Sequence, residues 1–130
     1  MLKKVLLSLF LVLSINNAKA QTIVKLEETE IDPNKIYFFA HSMCQECRET
    51  FIFFNNQHSN LNIPIVDMKH KENFELYKKC VKKFDIKNAE LRLPLICMGN
   101  NYIMGWKKTD EAKFNQYLQE FQTKQIIKVN

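Results

Sequence analysis

Glycine and proline are scarce in this chain, two and three residues respectively among 130. So few turn-formers read as a packed domain and exclude a loop-rich scaffold held open by disulfides. There is no internal repeat and no low-complexity tract, which excludes repeat architectures. Beyond the first twenty residues no apolar run is long enough to cross a bilayer. A strong charge of one sign is missing too. The net charge of +5 drops by three, to +2, once Lys3, Lys4 and Lys19 leave with the leader described next. That mild excess gives no footing for nucleic acid. Lys78, Lys79, Lys82 and Lys83 interleave with apolar positions, as on a solvated helix face.

The first twenty residues read as an export signal. Lys3 and Lys4 give a positive start, Val5 to Ile15 is apolar apart from serines, and Ala18-Lys19-Ala20 is an A-x-A-like cleavage site. No cysteine follows the cut, so lipid attachment there is not indicated. Cleavage after Ala20 would send Gln21–Asn130 to the periplasm or out of the cell, with no stable membrane anchor. Residues 21–34 then form an extension or short strand, 35–122 one small domain, and 123–130 a tail.

Of four cysteines, two stand together in Cys44-Gln45-Glu46-Cys47. The pair follows Ile36-Tyr37-Phe38-Phe39-Ala40, a β-branched and aromatic run with the look of a buried strand. It precedes Arg48 to Gln57, free of Gly and Pro, with Phe51, Ile52 and Phe54 at helical spacing. A thiol at a helix start meets the positive end of the dipole and unpaired N–H groups, which favour thiolate. A second thiol one turn on can close a disulfide with it.

A coarse pass along the chain gives Thr22–Leu26 as a leading strand or ordered tail, then a turn at Asp32-Pro33-Asn34. A strand at Ile36–Ala40 and a helix to about His58 follow. Next come a strand at Ile63–Met68 and a helix at Asn73–Phe84 facing inward with Phe74, Tyr77, Val81 and Phe84. A strand at Leu93–Met98 turns at Gly99-Asn100-Asn101 into Tyr102–Trp106. Thr109 or Asp110 caps a last helix through Phe121, with Phe114, Tyr117, Leu118 and Phe121 on its apolar face. The tail from Gln125 to Asn130 is either disordered or a further strand. The order β-α-β-α-β-β-α makes an α/β fold: one parallel crossover pair and a closing hairpin at the sheet edge.

With this order and Cys44/Cys47 in place, the chain resembles the thioredoxin superfamily, within it the small glutaredoxin-like branch. Pro94, in Leu91-Arg92-Leu93-Pro94-Leu95-Ile96, stands where that family carries a cis proline beside its reactive disulfide. Gly105, ahead of Thr109-Asp110, resembles the glycine turn and acidic helix start that many glutaredoxins use to hold glutathione. The resemblance implies a thioredoxin-like fold, a mixed four-stranded sheet with helices on both faces. It implies substrate contacts at Leu93, Pro94 and Gly105, and no cofactor unless glutathione binds; His41, close before the pair, is a further expected substrate contact. Three features depart from the family: the Gln45-Glu46 spacer, Leu93 before the proline, and Trp106 in place of a second glycine.

The expected chemistry is thiol–disulfide exchange, with Cys44 attacking and Cys47, a turn further in against Phe51, resolving. Glu46 opposes a second negative charge beside the pair, which favours a reductase or exchange partner over a strong oxidant, while Arg48 and His41 offset part of that. Partners would be a protein or small-molecule disulfide and a redox protein that resets the dithiol. Cys80 and Cys97 have three readings: buried free thiols, a second disulfide, or a second exchange pair. A different class is soft-metal binding, copper or zinc, by His41, Met43, Cys44 and Cys47, joined by Cys80 and Cys97 if the fold gathers them. Arg48 stands where haem attachment needs His. The third class is a non-catalytic thioredoxin-like binding module. Trp106 reads as a partly buried aromatic near the last turn, His58 and His70 as solvated. Met98 and Met104 read as facing each other across the hairpin.

Overall fold

The computed structural model describes residues 30–130; the leader and the segment Thr22–Leu26 lie outside them. The elements run β1 (Ile36–Ala40), α1 (Gln45–Gln57), β2 (Ile65–Asp67), α2 (Lys71–Lys83), β3 (Leu95–Met98), β4 (Asn101–Met104) and α3 (Asp110–Val129). That is the order expected from the sequence. α3 runs on past Phe121 through the tail, so the tail is helix, neither strand nor coil.

The sheet order is β2-β1-β3-β4. β1 pairs with β2 in parallel, Phe39 beside Val66, and with β3 antiparallel, Phe38 beside Ile96. β3 is thus an inner strand, where the sequence reading put both hairpin strands at the edge. The reason lies in the apolar content of Leu95-Ile96-Cys97-Met98, buried throughout, which a central position covers on both faces. Strand alternation then sorts side chains to two cores. Phe38, Ala40, Ile96 and Met98 meet α1 and α3 through Phe53, Phe54, Phe114 and Leu118. Tyr37, Phe39, Leu95 and Cys97 meet α2 through Tyr77 and Cys80 on the other side. Helices therefore cover both faces of a mixed four-stranded sheet, the thioredoxin-like arrangement.

Several faces differ from their expected rotation. In α1 the buried positions are Cys47, Thr50, Phe53 and Phe54, while Phe51 and Ile52 are exposed. Four consecutive apolar residues fit more than one helical stripe, and the sequence pattern selected the wrong one. In α2 Tyr77 and Cys80 are buried and Phe74 is half exposed. Met98 pairs with Asn101 and Met104 with Leu95, so the two methionines lie on opposite faces instead of facing each other. Trp106 is fully buried against Phe53, ring centroids 5.3 Å apart. His58 is no solvated loop residue: it bonds Asn115 at 2.7 Å and packs on Phe53 and Phe114.

Candidate functional site

Cys44 occupies the N-cap of α1, its backbone extended at φ −95, ψ 114. Its Sγ accepts the Cys47 N–H at 3.1 Å, filling a donor that the first helical turn leaves open. His41 sets up that entry: its carbonyl accepts the Cys44 N–H at 3.0 Å and its Nδ1 accepts the Met43 N–H at 3.1 Å. Cys44 and Cys47 are joined as a disulfide, Cα atoms 5.2 Å apart. The two sulfurs are not equivalent. Cys44 is partly exposed, whereas Cys47 is buried in the core shared by α1 and α3. Phe51, expected to shield Cys47, is instead exposed.

A concavity of about 260 Å³ opens beside the pair. Cys44, Cys47, His41, Arg48 and Phe51 line it, together with Ile65 and Asp67 from β2. Phe51 and Ile65 are exposed here, and the neighbouring Met43 is 87% exposed. The sequence reading missed Ile65 and Asp67. Their only signal was the parallel crossover, which brings the end of β2 beside the end of β1.

Leu93 and Pro94 lie on the other flank, joined by a cis peptide bond. Extending the β1–β3 register by one residue sets Pro94 opposite Ala40, four residues before Cys44. Leu93 and Cys44 pack against the same core. Among the described residues neither the amide nor the carbonyl of Leu93 has a hydrogen-bond partner. Gly105 follows β4 at φ 73, and its N–H donates to the Pro94 carbonyl at 2.8 Å. A side chain there would run into the Arg92 guanidinium, which lies over the glycine and donates to the Met104 carbonyl at 3.4 Å. Arg92 was not singled out by the sequence reading. The signal available was that it is one of the chain's two arginines and precedes Leu93-Pro94.

Two acidic residues act differently from expectation. Glu46, read as an electrostatic neighbour of the thiols, accepts the Trp106 N–H with Oε2 at 3.2 Å. Thr109 makes no side-chain cap; Asp110 accepts the Lys107 N–H at 2.8 Å and pairs with Lys113 at 3.4 Å.

Cys80 and Cys97 are joined in a second disulfide, both sulfurs fully buried on the α2 face. The two cysteine pairs thus stand on opposite sides of the sheet, and a four-thiolate metal site is excluded by that topology. Among the described residues no group of three or more His, Cys, Asp or Glu side chains is placed to hold a metal ion. Next to the second disulfide, the Tyr77 hydroxyl donates to the Arg92 carbonyl at 3.2 Å. Burial raises the Tyr77 phenol above its ordinary 10.0, an effect the Arg92 bond partly opposes.

No family model matches the chain. No curated protein matches it either. Among solved structures it is similar to a glutaredoxin from Archaeoglobus fulgidus, at 14% identity and a TM-score of 0.49, over 65% of this chain and 85% of that one. By its own sheet order, and by the station of its Cys-x-x-Cys pair where β1 hands over to α1, the chain has a thioredoxin-like fold.

Proposed function

We propose that the protein is an exported thiol–disulfide oxidoreductase that works through Cys44 and Cys47, as a reductase or a disulfide-exchange partner. The observation that carries this reading is the asymmetry of the pair. One sulfur is a partly exposed helix cap holding a backbone N–H at 3.1 Å, and the other is buried one turn behind it. In the dithiol form that N–H and the helix start favour a Cys44 thiolate. The thiolate attacks a substrate disulfide, forms a mixed disulfide and releases the first substrate sulfur as thiolate. Cys47 then loses its proton and attacks the Cys44 sulfur, releasing the second substrate thiol and closing Cys44–Cys47. Two electrons pass to the substrate, and an external dithiol resets the pair. Leu93 offers an amide and carbonyl beside the site for an extended substrate strand to pair with. Export rests on the amino-terminal pattern, and the mature chain would begin at Gln21.

The test is trapping. Cys47→Ser should accumulate a mixed disulfide with a protein substrate through Cys44, and Cys44→Ser should form none. Equal absence of adduct in both, with no reduction of insulin by the wild type, would instead mark a non-catalytic binding module. Direction is read from the reduction potential of the pair: a value near about −120 mV, at the strong-oxidant end, overturns the reductase reading.

A further inference from the structure

We infer that Tyr77 is a positioning residue for exchange with polypeptides: its hydroxyl holds the Arg92–Leu93 peptide unit so that the Leu93 N–H faces an incoming substrate strand. The inference rests on the exchange reading above and adds to it a residue from the other side of the sheet. The Arg92 carbonyl and the Leu93 N–H belong to one planar peptide unit. That unit is trans, since Leu93–Pro94 is the one cis bond among the described residues. In a trans unit the carbonyl and the N–H point in opposite directions. The Tyr77 hydroxyl donates to the carbonyl at 3.2 Å from α2, so the N–H is aimed away from α2. No acceptor among the described residues takes that N–H. Leu93 itself bridges the two cores, and on the α1 side it shares one of them with Cys44.

The hydroxyl is held by rigid parts of the fold. Tyr77 is buried, its ring edge-on to Phe39 at 5.5 Å and parallel to Phe74 at 6.0 Å. Cys80, one turn further along α2, ties the helix to β3, which begins directly after Pro94. The loop it grips has little else to fix it. Residues 91–94 belong to no helix or strand, and Leu91 and Arg92 are exposed. The flanking backbone bonds are the Leu91 N–H on the Asn88 carbonyl at 3.2 Å and the Gly105 N–H on the Pro94 carbonyl at 2.8 Å. Between them, Tyr77 makes the one hydrogen bond to the backbone among the described residues. The Arg92 guanidinium reaches the Met104 carbonyl at 3.4 Å, which steadies the side chain and not the plane of the peptide. Phenylalanine would fill the same apolar site, so packing alone does not call for a hydroxyl there. Without it the exposed Arg92 carbonyl is free to turn to water, and the Leu93 N–H turns with it.

The experiment follows pre-reduced full-length protein in single turnover over a range of oxidant concentrations. One oxidant is insulin, whose backbone can pair with Leu93; the other is hydroxyethyl disulfide, which has no backbone. Tyr77→Phe should raise the half-saturating insulin concentration about fivefold, the worth of one hydrogen bond, and leave the limiting rate unchanged. Its reaction with hydroxyethyl disulfide should match wild type, since Cys44 itself is untouched. A second measurement reads the peptide unit directly. In Cys47→Ser trapped as a mixed disulfide with a cysteine-containing peptide, the Leu93 amide proton should be protected from exchange. Adding Tyr77→Phe to that adduct should speed its exchange by about fivefold. An unchanged insulin dependence in Tyr77→Phe overturns the inference, as does an equal loss toward both oxidants, which would mark a general structural role. An unprotected Leu93 amide in the Cys47→Ser adduct overturns it too. Failure of wild type to react with either oxidant would instead strike the exchange reading itself.

Discussion

Gly105 shows how much a single residue can be asked to hold. Its left-handed φ of 73 costs any L side chain about 1–2 kcal/mol, and a Cβ would also displace the Arg92 guanidinium. Gly105→Ala should therefore lower the unfolding free energy by roughly 1–3 kcal/mol in urea denaturation. In an Arg92→Ala background the same change should cost measurably less, because the steric part of the penalty is gone. At this scale Cys44 and Cys47 were legible in the sequence, since a short motif between a strand and a helix fixes both their neighbourhoods. Glu46 was legible as a charge but not as a hydrogen-bond acceptor. Its partner lies sixty residues away, and no local pattern encodes a contact made only when β4 closes beside α1.

At the scale of the element, α2 is secured twice. Its C-terminus closes with Asp85 in the left-handed region at φ 50, the Asp85 N–H on the Lys82 carbonyl and the Ile86 N–H on the Val81 carbonyl. This is a Schellman closure, with Ile86 buried behind it. Its middle is tied to β3 by the Cys80–Cys97 bond, across 17 residues. Removing a link of that span through Cys80→Ala with Cys97→Ala should cost about 3 kcal/mol by chain entropy. The expected signature is a lower denaturation midpoint with faster amide exchange confined to α2, while single-turnover reduction by Cys44 persists. Helix extent was readable here to within two residues at either end. Helix rotation was less so: Phe51-Ile52-Phe53-Phe54 offers too many apolar positions for a stripe to be unique, and only packing on Trp106 and Phe114 selects Phe53 and Phe54.

Across the whole molecule, the sheet divides the sulfur chemistry into two compartments. The Cys44 side opens to solvent, and the Cys80–Cys97 side is closed under α2, with both cysteines at 1% exposure or less. Exchange needs the attacking thiolate to reach a sulfur, so access sets the order of reduction. Mild dithiothreitol on the folded protein, followed by alkylation and mass mapping, should label Cys44 and Cys47 alone. Cys80 and Cys97 should become labelled only with denaturant present. Simultaneous labelling of all four under native conditions would show that the second pair also exchanges. The α/β architecture was readable from element order, whereas the place of β3 between β1 and β4 was not. Strand order depends on which faces need cover, a property of the assembled sheet and not of any one segment.

A bond enclosed beneath the sheet has to be made while the chain is still finding its shape, because no catalyst reaches it afterwards. Copies synthesised in a reducing cell interior will accordingly differ from copies whose thiols are oxidised during biogenesis. The polypeptide is identical, but its second helix is left untethered and the preparation fails earlier on warming. The history of a sample, and not its sequence alone, decides which of those two materials is in the tube.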